Sequence, residues 1–198
     1  MTNYCDYFMT TDEDREYHDE EWGHPIMGDD RKMFECMSLE VMQCGLSWRT
    51  IFKRRDIMRE CFDNFDIDKV AAYTEDDVKR IIATDGMLKT ANKVRAIINN
   101  AKVSQRLGSL CDYFWSFTNG HVVVYDGHPE GEIPAQNGLS QRVAKDLRLQ
   151  GMKFIGPVNI YAHLQACGII NDHSKMCPTF QEIINNYPID YLPKDNEK

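Results

Sequence analysis

The residues of this chain best suited to chemistry gather at its two ends and in one stretch near the front. Two cysteine–histidine pairs stand far apart in sequence, Cys5 with His18 and His173 with Cys177. The second pair has a His-x3-Cys spacing, which lets two side chains converge on one ion from a helical turn or a tight loop. Two thiolates and two imidazoles make a closed tetrahedral set, suited to structural zinc because no position is left for water. The twelve residues between Cys5 and His18 fix nothing by spacing, and two ordinary half-buried histidines are the plainer account of the same pattern. If the four do meet, they tie the first 20 residues to the last 25 and hold termini that otherwise fray.

The second group centres on a carboxylate. Glu40 stands between Leu39 and Val41 in the apolar run from Met37 to Cys44. A carboxylate there is costly unless it is paired or used, although the same residue fits a polar stripe facing solvent. Trp48 follows after Gly45-Leu46-Ser47. An indole at a helix start can present its face across a pocket, and aromatic faces with one carboxylate suit a flat, cationic heteroaromatic ligand. A core tryptophan is the alternative. Tyr17-His18-Asp19-Glu20-Glu21-Trp22-Gly23 adds a dense polar and aromatic cluster.

The elements that must position these groups are helical nearly throughout. Met33, Phe34, Met37, Val41 and Met42 recur at three- and four-residue steps and predict an amphipathic helix over 30–44. Ser47 caps a second helix, with Trp48, Ile51, Phe52 and Met58 inward, ending near Phe62. Asp66 and Thr74 cap short helices over 67–72 and 75–83, with Asp77 as a capping-box partner for Thr74. Asp85-Gly86 breaks the chain, and a longer helix runs from Ala91 to Leu107. Val122 to Tyr125 has strand character before Asp126-Gly127, but one run makes no sheet, so 118–138 reads as loop. Helices follow from Ser140 to Gly151, over 157–167 and over 178–186, with a frayed tail from Pro188. The reading is all-α, a single domain over 1–187 with a disordered tail over 188–198.

Composition narrows the class. With 198 residues, 42% hydrophobic and 27% charged, the chain suits one globular unit rather than a disordered one. No stretch has the ~18–20 apolar residues of a membrane helix, and the first residues do not read as a signal peptide, so the expectation is a cytoplasmic protein away from membranes. Seven cysteines at irregular spacing argue against a disulfide framework, and Cys36, Cys61, Cys111 and Cys167 read as small buried hydrophobes. A net charge of −8 weighs against nucleic acid. The balance is uneven, however, because acid crowds positions 1–40. Basic clusters follow at Lys53-Arg54-Arg55, at Lys89, Lys93 and Arg95, and from Arg142 to Lys153, and local patches can bind DNA on an acidic protein.

At these residues the chain resembles the DNA-3-methyladenine glycosylase I family. The resemblance rests on Tyr-His-Asp-x-Glu-Trp-Gly at 17–23, Leu-Glu at 39–40, Gln-Cys-Gly-Leu-Ser-Trp at 43–48 and Lys-Arg-Arg at 53–55. It continues through Trp-Ser-Phe at 115–117, Lys-Asp-Leu at 145–147, Lys-Phe-Ile-Gly at 153–156 and Gln-Ala-Cys-Gly-Ile-Ile-Asn-Asp-His at 165–173. It implies a divergent helix-hairpin-helix glycosylase fold, with one structural Zn2+ on Cys5, His18, His173 and Cys177 joining segments 1–25 and 165–187 into a stapled lobe. It implies that Glu40 and Tyr17 hydrogen-bond the damaged base, that Trp48, Trp22 and Tyr7 wall its pocket, and that Leu46 beside Gly45 wedges into the duplex. The segment Gly86 to Lys93, with Lys89 and Lys93, would meet DNA phosphates. The expected partner is double-stranded DNA carrying alkylated adenine, bound by a monomer. The family has Trp where this chain has Tyr7, and a hydroxyl-bearing stretch where it has Pro157-Val158-Asn159; both bear on base selectivity. A rival reading is a non-catalytic protein that binds alkylated DNA. A zinc hydrolase of a small substrate is disfavoured by the closed ligand set.

Overall fold

Helices begin where the chain offers a side chain to cap them. In the computed structural model, which describes residues 4–126 and 133–193, α1 (Asp12–Glu20) follows Thr11 and α2 (Asp30–Gln43) follows Asp29. The Thr11 hydroxyl accepts from the Asp14 amide while the Asp14 carboxylate accepts from that of Thr11, a capping box. Ser47 caps α3 (Trp48–Phe52), α4 (Arg55–Cys61) comes next, and Asp66 caps α5 (Ile67–Ala71). Thr74 and Asp77 form the expected box ahead of α6 (Glu75–Ala83). Then come α7 (Ala91–Leu107), α8 (Leu110–Ser116) capped by Ser109, and α9 (Gly138–Leu149) capped by Asn137. Proline opens both α10 (Pro157–Ala166) and α11 (Pro178–Asn186), where a missing amide hydrogen costs nothing. No helix of the described residues is long and apolar enough to cross a membrane.

α2 is the central post. It packs against α3, α7, α8 and α10, and every residue from Met33 to Met42 except Cys36 is buried. Trp115 on α8 donates its indole N–H to the Ile26 carbonyl at 2.7 Å, and Asp30 at the start of α2 accepts from Ser109 and from the Cys111 amide. These three contacts fix the approach of the chain into α2.

Three departures from the sequence reading have physical causes. The helix expected from Ser47 to Phe62 is broken at Lys53–Arg54, and the break turns Arg55 inward onto two carboxylates. The all-α reading is amended by a two-stranded parallel sheet, β1 (Val122–Asp126) with β2 (Ile189–Pro193), in the register Val122↔Ile189. The loop over 118–138 therefore holds a strand, and the tail expected from Pro188 supplies its partner; residues 194–198 and Gly127 lie outside the described residues. On its other side β1 bonds the segment leading to His173: the Val123 amide donates to the Ile169 carbonyl at 2.8 Å and the Asn171 amide to the Val123 carbonyl at 2.9 Å. One lone run cannot reveal a partner more than sixty residues away.

Candidate functional site

α1, α2, α3 and α10 surround a cavity of about 380 Å³ whose lining includes Tyr17, Trp22, Glu40, Gln43, Trp48 and Gln165. Glu40 is 7% exposed, and no hydrogen bond or ion pair engages its carboxylate among the described residues. Desolvation pushes it from 4.5 up to about 8. Burial, with Cys36 and Glu40 adding to it, also holds the Tyr17 phenol well above its ordinary value, so it stays a neutral donor. The Tyr17 and Trp48 rings lie 5.3 Å apart, Phe52 is 5.0 Å from Tyr17, and the Arg55 guanidinium sits 5.9 Å from the Tyr17 ring centroid. Arg55 is held in turn by Glu21 and Glu35 at 2.6–2.8 Å. Tyr17 and Trp48 are thus fixed walls. A buried acid with no partner among the described residues, in an aromatic slot, suits a flat cation that brings its own hydrogen-bond donor.

The four zinc candidates do meet. Their donor atoms lie within 4.8 Å of one another and all four residues are buried. His173 Nδ1 is 3.1 Å from His18 Nε2, Cys5 Sγ and Cys177 Sγ are each 3.9 Å from His173 Nδ1, and Cys177 Sγ is 3.8 Å from His18 Nε2. A tetrahedral ion with bonds of about 2.3 Å to sulfur and about 2.0–2.1 Å to nitrogen has edges of about 3.3–3.8 Å, close to these. The remaining ring nitrogens are provided for: His18 Nδ1 lies 2.8 Å from Asp19 Oδ1 and His173 Nε2 lies 3.2 Å from the Trp22 carbonyl. Such outer acceptors fix the tautomer and ring of a metal-binding histidine. Burial pushes the Cys5 thiol up and the His173 imidazole down to about 3. The donor set therefore fits one tetrahedral cation. Gly23 is required beside it, since its φ is +79° and a Cβ there would meet His173 Nε2 at 2.3 Å.

The cysteine–histidine cluster and the cavity share a wall. Cys5, His18 and Trp22 line the cavity, and the Trp22 ring packs edge-on against His173 at 4.7 Å. Tyr7, by contrast, is 69% exposed and outside the lining; Phe8 and Met9 take its place at the rim. The sequence reading also missed Gln43 and Gln165. Gln165 donates through Nε2 to Asp172 at 2.8 Å, and Asp172 also accepts from the Tyr161 hydroxyl. Both glutamines stood inside runs already singled out, without an assigned role.

Beyond the cavity, Gly45 (φ +79°) turns the chain out of α2 and leaves Leu46 39% exposed. Lys89 is exposed on the segment before α7. Lys93 departs from the expectation of a phosphate contact. It is 8% exposed and its ammonium donates to the Met42 and Cys44 carbonyls, so its charge is turned inward.

With this geometry in hand, comparison with known proteins is specific. The methyladenine glycosylase family model matches residues 7–181. DNA-3-methyladenine glycosylase 1 of Escherichia coli (strain K12) is 41% identical over 165 residues, covering 81% of this chain and 88% of that protein. A crystal structure of 3-methyladenine DNA glycosylase I superposes with a TM-score of 0.82 at 38% identity, over 89% of this chain and 98% of the other. A Tyr→Phe variant of 3-methyladenine DNA glycosylase I in complex with 3-methyladenine gives 0.82 at 31% identity, over 90% and 97%.

Proposed function

This chain belongs to the methyladenine glycosylase family, and on that premise we propose that it is a monofunctional DNA glycosylase that releases 3-methyladenine from alkylated double-stranded DNA in base excision repair. The observation that carries the reading is Glu40, a desolvated carboxyl with no hydrogen-bond partner among the described residues, in a cavity walled by Tyr17, Trp22 and Trp48. The target nucleotide leaves the stack at a cost of a few kcal/mol, and Leu46 fills the gap. Exposed Lys89 and the α7 start, where Thr90 makes no side-chain cap, receive backbone phosphate. α9 and α10, packed together across the turn 150–156, supply the helix-hairpin-helix element. Among the candidate DNA-contact residues, only Lys93 is reassigned.

The chemistry is spare. A base methylated at N3 is cationic while attached to the sugar, so the glycosidic electron pair leaves with a neutral base and no acid is needed. Water takes its place at the anomeric carbon and loses a proton to solvent. Glu40, ionised by the arriving cation, accepts a hydrogen bond from the exocyclic amine, and the Tyr17 phenol donates to the base. Burial strengthens that pairing and discriminates against neutral adenine. Asp14 also lines the cavity, but its carboxylate already accepts from Thr10, from the Thr11 amide and from Arg49. One Zn2+ on Cys5, His18, His173 and Cys177 would serve as a closed structural tether, and those residues act by holding the Trp22 wall. The test is a mass-spectrometric profile of free bases released from methylated duplex. Release of 3-methyladenine is expected; binding without release would instead favour a non-catalytic damage-binding protein.

A further inference from the structure

Lys93 sits on the first turn of α7, yet its side chain runs into the protein. Its Nζ donates to the Met42 carbonyl at 2.7 Å and to the Cys44 carbonyl at 2.6 Å. These belong to the last turn and C-cap of α2, where a helix leaves its carbonyls without intrahelical partners. A cation there also opposes the negative end of the helix dipole. The turn that follows is the wedge: Gly45 in the left-handed region, then Leu46, whose amide returns to the Gln43 carbonyl at 2.6 Å. From the opposite side Asn159 on α10 reaches the Glu40 carbonyl at 3.5 Å and the Phe154 carbonyl at 3.3 Å. The root of the wedge is thus clasped by the helix behind the 86–90 segment and by the helix behind the 150–156 turn.

We propose that Lys93 is a positioning residue for base extrusion, fixing the Gly45–Leu46 turn at the end of α2 and coupling it to the 86–90 segment. The inference rests on the glycosylase reading above. Desolvation lowers the pKa of this ammonium, so burial carries a cost that a purely packing residue at the same place would avoid. What the cation adds is directional: two short charge-assisted bonds that define where the next two residues point. A wedge must meet the duplex already formed, because small misplacements of a positioned group are expensive in rate.

The test compares excision of 3-methyladenine from a fully paired duplex with excision from the same sequence carrying the target in a small unpaired bubble, where little stacking must be opened. Lys93→Met should lose about tenfold or more on the duplex and at most about threefold on the bubble, with tryptophan-monitored binding of free 3-methyladenine unchanged. In a Leu46→Ala background the same substitution should cost at most about twofold more, since no wedge remains to place. If Lys93→Met fails to fold, Lys93→Gln, which keeps a donor one bond short, carries the same comparison with a smaller duplex-selective loss. Equal losses on both substrates, weakened free-base binding, or an undiminished penalty in the Leu46→Ala background would overturn the proposal. Release from neither substrate by the parental protein would overturn the glycosylase reading along with it.

Discussion

At the scale of single residues, the burial of Glu40 weighs on stability. In the folded protein burial raises its carboxyl to about 8 from an ordinary 4.5. The folded state therefore keeps a proton that the unfolded chain gives up, and stability falls as pH rises from about 4.5 to 8, by on the order of 1 kcal/mol per pH unit. Glu40→Gln removes this term. Its melting temperature should match that of the parent below pH 4.5 and exceed it increasingly up to about pH 8; equal melting throughout would mean that the carboxyl is not desolvated. The sequence left the facing of Glu40 open for a physical reason. α2 is buried nearly all round, with Glu35, Ser38, Leu39, Glu40 and Val41 all inside, so a helical period picks out no solvent face. Lys93, which the resemblance implies meets phosphate, turns inward because folding brings α2's last carbonyls to it, a contact between distant elements that no local pattern carries.

At the scale of elements, the break between α3 and α4 converts a basic run into an internal tie. Arg55 bonds Glu21 just beyond α1 and Glu35 on α2, while Arg59 also reaches Glu35 at 2.9 Å. Arg55→Met would take the cation from Glu21 and leave buried Glu35 to Arg59 alone, and should cost about 3 kcal/mol in denaturant unfolding; a change within 0.5 kcal/mol, the usual range for surface substitutions, would show the tie to be idle. Elements with caps and period were legible: α2, α5, α6, α7, α10 and α11 stand close to where the sequence put them. α8, only seven residues long, is too short for its period to show, and α1 carries so few apolar residues that its capping box is the stronger signal. The β1–β2 pairing is non-local and no window along the chain contains it.

At the scale of the whole molecule, the two chain ends meet at Cys5, His18, His173 and Cys177, and that cluster backs the wall of the cavity. Cys177→Ser should lower zinc content and melting temperature together and should also weaken base binding, because Trp22 and His173 pack on each other. A variant that holds no zinc yet melts and binds as the parent would separate the tether from the site. The His-x3-Cys half of that cluster was visible in sequence, whereas the other half became definite only when the ends came together. All of this architecture converges on one buried carboxylate, Glu40. The most direct test is the single-turnover rate of 3-methyladenine release from methylated duplex as a function of pH, for the parent and for Glu40→Gln. The parent's rate at low enzyme concentration should climb toward about pH 8 as the free carboxyl ionises. Glu40→Gln should be slower by about a hundredfold or more, without that rise. Release by Glu40→Gln at the parental rate, with the same pH profile, would contradict the account.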